Sequence, residues 1–251
     1  MPYYEREEKI LNILFEQHTI TNEELAKRLF VSKPTLRRDL EKLEQKGLIK
    51  RTHGGCQLNQ KAADEKIPFY FREQEQGTSK IKMAKKALEH IHNGDILMLD
   101  GSTSAYTIVP MLGSFENLIV ITSGSKTSYL LGTMGIKNIS TGGQMITGSL
   151  SYIGAEALHT VSRYNADIVF FSCRGLSKDG YLTDNSIEEN ELRRQMLKHA
   201  KKKVLLCDHV KIGKKYLNTL CHVSELDAII SDTELPEYIL KLMKERNTSS
   251  R

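Results

Sequence analysis

Six short strand-like runs, ILML (96–99), LIVIT (118–122), KNIS (137–140), DIVFFS (167–172), KVLLC (203–207) and DAIIS (227–231), return along the larger part of the chain. The stretches between and around them carry helical spacing instead, as in 80–91, where Ile81, Ala84, Leu88 and Ile91 share a face, and in 155–164, 187–200 and 236–246. Apolar strands alternating with helices restrict this region to an α/β domain built on a largely parallel sheet. The chain has 251 residues, 39% of them apolar and 27% charged, which is room for a sizeable core and for a smaller unit beside it. No apolar run approaches the roughly 18 residues of a membrane span. The start, MPYYEREEKIL, carries acids and runs straight into a helical pattern without the basic and apolar regions of a secretory leader, so a cytoplasmic protein with no membrane partner is expected.

The N-terminal region follows a different pattern. Ile10, Leu11 and Leu14 mark a first amphipathic helix from about Tyr3, and Thr21 with Glu24 forms a capping-box signal for a second, through Leu25, Leu29 and about Phe30. Ser32 is a natural N-cap for a third helix, with Pro34 in its first turn, where a missing N–H is harmless. Leu36, Leu40 and Leu43 share one face of it, while Pro34, Thr35, Arg37, Arg38 and Lys42 lie around the other side. A helix anchored by leucines and cationic on its outer face is what enters a DNA major groove in helix-turn-helix proteins. After Gly47, a helix stop, LIKRTHGGCQL places β-prone residues around His53, Gly54 and Gly55 as the tight turn of a wing, with Lys50 and Arg51 positioned to lie near the phosphate backbone. From Lys27 to Arg51 there are nine Lys or Arg against three acids, whereas the net charge of the whole chain is only +5. That local excess suits a polyanion.

This ordered set, with Val31, Ser32, Arg37, Arg38, Asp39 and Leu40 followed by Gly47, Leu48, Ile49, Arg51, His53, Gly54 and Gly55, resembles the winged helix-turn-helix of the DeoR family of bacterial transcriptional regulators. The resemblance implies that Ser32, Lys33, Pro34, Thr35, Arg37 and Arg38 approach DNA. Asp39 is expected to orient a neighbouring arginine.

In an open parallel sheet, ligands bind at the carboxyl ends of the strands. The loops found there are polar: Asp100-Gly101-Ser102-Thr103-Ser104 leading into a helix N-terminus, Ser123-Gly124-Ser125, Thr141-Gly142-Gly143, and Asp208-His209-Val210-Lys211. Backbone N–H groups, hydroxyls and an ammonium suit a phosphate, and Asp208 suits a sugar hydroxyl. Lys126-Thr127 lacks the spacing of a nucleotide phosphate loop. The same DeoR resemblance continues through these segments, whose fold in that family is similar to ribose-5-phosphate isomerase. It implies a sensor of phosphorylated sugars, with Gly101, Ser102 and Thr103 in the phosphate loop and Asp208 and Lys211 in an Asp-x-[ST]-Lys motif. Two departures are Val210, where Ser or Thr is usual, and Arg174, where smaller neutral residues are common. Arg174 either adds an anion contact or faces solvent.

The expected organisation is a winged helix-turn-helix at 1–58, a linker at 59–77 in which Pro68 precedes three aromatics, and an α/β effector domain at 78–251. The expected function is a regulator, a repressor in most of the family, that binds operator DNA as a dimer or tetramer and responds to a sugar phosphate, with no cofactor and no catalysis. The alternative is a sugar-phosphate isomerase or deaminase carrying a DNA-binding module, with Asp100, Asp184 and Glu188 as candidate bases, although no glycine-rich lysine loop accompanies them. Cys56, Cys173, Cys207 and Cys221 are scattered and lack zinc-site spacing, so free thiols and no metal are expected.

Overall fold

The N-terminal leucines meet across three helices. The computed structural model describes residues 2–59, 69–74 and 76–244, and the chain divides into two compact units, Met1–Phe71 and Arg72–Arg251. The first unit contains α1 (Tyr3–Gln17), β1 (Thr19–Thr21), α2 (Asn22–Leu29), α3 (Lys33–Gln45), β2 (Ile49–Thr52) and β3 (Gly55–Leu58). Leu11, Leu14, Leu25, Leu29, Leu36, Leu40 and Leu43 form one buried cluster. Local chemistry fixes the helix ends. The Ser32 hydroxyl accepts the Thr35 N–H at 3.4 Å. At the other end of α3, Gly47 at φ 74° donates to Glu44 O at 2.8 Å while Leu48 donates to Leu43 O at 3.0 Å, the paired bonds of a Schellman stop. Only half of the expected capping box forms: Thr21 accepts the Glu24 N–H at 3.2 Å, but the Glu24 carboxylate turns to Arg28, one helical turn on, at 2.5 Å.

Strands β1, β3 and β2 pair antiparallel in that order. The turn between β2 and β3 is His53–Gly54, and the adjoining Gly55 is required, because a Cβ there would stand 2.4 Å from Ile20 O. Phe30, between α2 and α3, holds φ 54° and is 95% exposed. A bulky side chain in the left-handed region costs on the order of 1 kcal/mol, so Phe30→Gly should raise the thermal midpoint of the protein. A lower midpoint would show that the ring packs on something that supports the turn.

Helix α4 (Phe69–Gln74) carries the chain into the second unit, which contains α5 (Gly77–Leu88), β4 (Ile96–Leu99), α6 (Thr103–Tyr106), β5 (Ile119–Thr122), α7 (Ser125–Thr133), β6 (Lys137–Ser140), β7 (Gln144–Ile146), β8 (Ser151–Ile153), α8 (Ala155–Ser162), β9 (Ala166–Phe171), β10 (Gly175–Leu176), β11 (Tyr181–Asp184), α9 (Ile187–Lys198), β12 (Ala200–Leu206), β13 (Asn218–His222), β14 (Ala228–Ile230) and α10 (Glu237–Lys244). The six expected strands form one sheet in the order β14-β12-β9-β4-β5-β6, and every pair is parallel. Alternation sorts its side chains into two cores. Met98, Ile121, Val169, Phe171 and Leu205 meet α8 and α9 on one face; Leu97, Leu99, Val120, Phe170 and Leu206 meet α5 on the other. The chain enters at β4, steps outward through β5 and β6, then returns to β9. The order therefore reverses between β4 and β9, where such sheets leave a crevice.

Part of the fold differs from expectation. The hairpin β7–β8 and the small antiparallel sheet β10-β11-β13 were not anticipated. Helix α5 begins at Gly77 and ends at Leu88, leaving Ile91 buried in the turn that follows. The expected linker at 59–77 falls partly outside the described residues, Pro68 included; of the part that is described, 69–74 is helical and Gly77 already opens α5.

Candidate DNA-binding face and effector cleft

Helix α3 shows its apolar side to the core and Lys33, Pro34, Arg37, Arg38 and Lys42 to solvent. These cations differ in their freedom. The Arg37 Nε donates to Glu41 at 3.0 Å and holds that acid below the usual carboxylate range. Lys42 Nζ stands 4.3 Å from the centre of the Tyr3 ring. Lys33 and Arg38 have no hydrogen bond or ion pair among the described residues. Ser32 and Thr35 hydroxyls meet at 2.9 Å at the helix start. On the wing side, Arg51 reaches Glu41 at 3.4 Å and Glu44 at 3.8 Å, so it is tied to the acids of α3, while Lys50, His53 and Gly54 are exposed. Asp39 does orient an arginine, but the partner is Arg6 of α1, which donates from both Nε at 2.6 Å and Nη2 at 3.0 Å. The bond pair clamps α1 to the back of the recognition helix.

The second site lies at the switch between β4 and β9. A narrow polar cleft there is lined by Asp100, Gly101, Ser123 and Ser151 with Glu189 and Arg193 of α9. Asp100 is buried and saturated: Oδ1 accepts the Ser102 N–H at 3.1 Å, and Oδ2 accepts the Ser172 N–H at 3.2 Å and Arg193 Nε at 2.9 Å. Arg193 also donates to Asp184 at 2.8 Å and Asn190 at 3.1 Å. Burial pushes Asp184 up, yet the Arg193 guanidinium and the N–H groups of Asn185 and Ser186 outweigh it and hold the carboxyl below its usual range. Lys211 donates to Ser172 Oγ at 2.9 Å and lies 3.2 Å from Asp208, whose charge outweighs burial and holds the ammonium above its ordinary value. Asp232 accepts both the backbone N–H of His209 at 2.8 Å and its ring Nδ1 at 2.7 Å, anchoring the loop that carries Asp208 and Lys211.

The loop after β4 departs from the expected anion-binding helix start in one respect. Helix α6 is a single turn of four residues, and the Ser102 hydroxyl already accepts the Ala105 N–H at 3.1 Å. No hydrogen bond from the N–H groups of Gly101, Thr103 and Ser104 is formed among the described residues, and the buried hydroxyl of Ser104 and Oδ1 of Asp208 lack partners. Gly101 is required by packing, since a Cβ would stand 2.3 Å from the Ser151 hydroxyl. The topology thus gathers 100–104, Ser123, Asp208 and Lys211 around one point, with Arg174 on the loop after β9. Gly142 and Gly143 follow the edge strand β6, and Gly143 at φ 100° leaves room for the Ile153 carbonyl, 2.4 Å from where a Cβ would stand. Arg193, Glu189, Asp184 and Ser172 complete the site, and of these only Asp184 was among the residues singled out from sequence. Asp100 and Asp184 are engaged by Arg193, and Glu188 is exposed on α9, so neither buried acid is free to act as a base.

The four cysteines are free and buried, and burial pushes Cys56 up to about 11. Among the described residues no group of three or more His, Cys, Asp or Glu is placed to hold a metal ion, and no helix is long and apolar enough to cross a membrane.

A winged helix with a cationic recognition face, followed by a parallel-sheet unit with a polar cleft at its switch point, defines a DNA-binding regulator with a ligand-sensing domain. Comparison with known proteins gives the family: residues 6–62 match the DeoR-like helix-turn-helix domain and residues 75–233 the DeoR C terminal sensor domain. The chain belongs to the DeoR family and is a transcriptional regulator, not an enzyme. It is 34% identical to the HTH-type transcriptional regulator GolR of Listeria innocua over 95% of this chain and 94% of that one. It is 26% identical to the glycerol-3-phosphate regulon repressor of Escherichia coli over 98% of each. Among solved structures, ribose 5-phosphate isomerase A of Methanocaldococcus jannaschii matches 53% of each chain at 16% identity and a TM-score of 0.40, a likeness too weak to carry function.

Proposed function

We propose that this regulator is a cytoplasmic repressor of a sugar operon, whose operator affinity changes when a phosphorylated sugar enters the cleft at the β4/β9 switch. Residues 1–58 serve as the DNA-binding module, with Lys33, Arg38 and Lys50 as its freest cations and Ser32, Pro34, Thr35, Arg37, Lys42, Arg51, His53 and Gly54 around them. Residues 78–251 serve as the effector domain. The phosphate is held by the unused N–H groups of Gly101, Thr103 and Ser104 and by Lys211; Asp208 takes a sugar hydroxyl; Asp100, Ser102 and Ser123 shape the cleft. A single winged helix reads too few bases for an operator, so the working form is a dimer or tetramer. Coupling is by linkage: whatever factor the effector imposes on operator affinity, the operator imposes on effector affinity.

The observation that carries this reading is the buried, unpartnered hydroxyl of Ser104 in the first turn of α6. A buried hydroxyl without a partner costs about 1–3 kcal/mol, which a ligand oxygen would recover. Ser104→Ala should therefore stabilise the free protein by roughly 1 kcal/mol in a thermal melt and weaken the stabilisation given by saturating sugar phosphate. A variant that melts lower than the parent and responds fully to the ligand would contradict the assignment.

A further inference from the structure

Several cations come together near the switch point from different segments, among them Arg72, which lies within electrostatic reach of Glu189, Arg174, Asp184 and Arg193. Arg193 is matched by Asp100 and Asp184, and Lys211 by Asp208. Arg174 has no ion pair among the described residues. It is half-buried, its Nε is fully enclosed and donates to nothing, and its guanidinium carbon lies 5.4 Å from the centre of the Tyr216 ring. Asp184, itself engaged by Arg193, is the carboxylate whose charge Arg174 feels, and it leaves the Arg174 Nε without a hydrogen bond; the surroundings hold the side chain in place. Its backbone N–H donates to Thr183 O at 3.1 Å. The Thr183 hydroxyl donates to Gly175 O at 3.2 Å and accepts the Tyr216 N–H at 2.9 Å. Gly175 itself admits the Tyr216 ring, which a Cβ would meet at 2.8 Å.

A guanidinium beside an aromatic ring keeps its edges for in-plane partners, and the terminal edge formed by the two Nη groups can grip a carboxylate or phosphate with two parallel bonds. Arg174 is two residues beyond Ser172, whose N–H reaches Asp100 and whose hydroxyl meets Lys211. Two residues of extended chain span roughly 7 Å, a separation on the scale of a sugar skeleton. From this geometry we infer that Arg174 binds a second anionic group, so that the effector is a sugar phosphate with a further phosphate or carboxylate. The inference rests on the sugar-phosphate reading of the cleft and narrows it.

The test is calorimetric titration of the full chain with inorganic phosphate, fructose 6-phosphate, fructose 1,6-bisphosphate and 6-phosphogluconate, repeated on Arg174→Ser and Arg174→Lys. The parent should bind at least one doubly anionic compound about tenfold or more tighter than the monophosphate. Arg174→Ser should lose that preference while binding fructose 6-phosphate as the parent does, and Arg174→Lys should keep part of it. Preference for the bisphosphate identifies a second phosphate, and preference for 6-phosphogluconate a carboxylate. Equal affinity for singly and doubly charged sugars, or a preference that survives Arg174→Ser, overturns the second anion alone. Absence of binding by all four compounds, inorganic phosphate included, overturns the phosphate site and this inference with it.

Discussion

Arg38→Ala should lower affinity for the operator by about 1–3 kcal/mol and relax discrimination against the wrong base. The structure separates Arg38 from its neighbours. Arg37 is engaged with Glu41, Lys42 with the Tyr3 ring, and Arg51 with both acids of α3, so each must leave an internal partner before it meets DNA. Arg38 stands on the exposed side of a helix whose back is fixed by three leucines and by the Arg6–Asp39 clamp, and it has nothing to leave. Anisotropy titrations on operator and scrambled duplexes at fixed salt measure the effect. Equal losses on both duplexes would make Arg38 a phosphate contact; no loss on either would remove α3 from the groove.

Arg193→Leu should cost about 3–5 kcal/mol of stability, because it strands two buried carboxylates and not an exposed pair. Denaturant melts at several pH values separate this from simple loss of packing. In the parent, Asp184 is held below its usual range, so its contribution is present at neutral pH and is lost as pH falls through that lowered value. In the variant the guanidinium is gone and burial pushes Asp184 up, so protonation relieves the stranded charge. The deficit relative to the parent should be largest near pH 7 and shrink toward pH 5. A deficit independent of pH would mean that Arg193 acts through its volume alone.

These two arginines mark where sequence is informative and where it is not. The environment of Arg38 was readable because everything that sets it is local: a Ser32 cap, a proline in the first turn, leucines at helical spacing and a Gly47 stop. The six sheet strands were readable for the same reason. Arg193 was not, since its partner Asp100 stands 93 positions away and meets it only after the sheet has ordered β9 beside β4. Asp39 lies between these cases. Its role as an orienting acid was expected, but its partner Arg6 is 33 positions distant. The β7–β8 hairpin escaped notice because its turn places Leu150 at φ 53°, a conformation leucine spacing does not announce. The Thr141-Gly142-Gly143 loop has a composition that suits a ligand, and the structure adds a packing reason for Gly143, the Ile153 carbonyl.

The most direct test of the central claim, that α3 reads an operator under the control of a ligand at the β4/β9 switch, is anisotropy of the full chain on DNA from upstream of its own gene, with and without sugar phosphates, at physiological salt. Tighter binding to this DNA than to its scrambled form, shifted by a phosphorylated sugar and shifted less at the same sugar concentration in Ser104→Ala, is the expected result. Specific binding that every phosphorylated sugar leaves unchanged, or that shifts equally in Ser104→Ala, would contradict it.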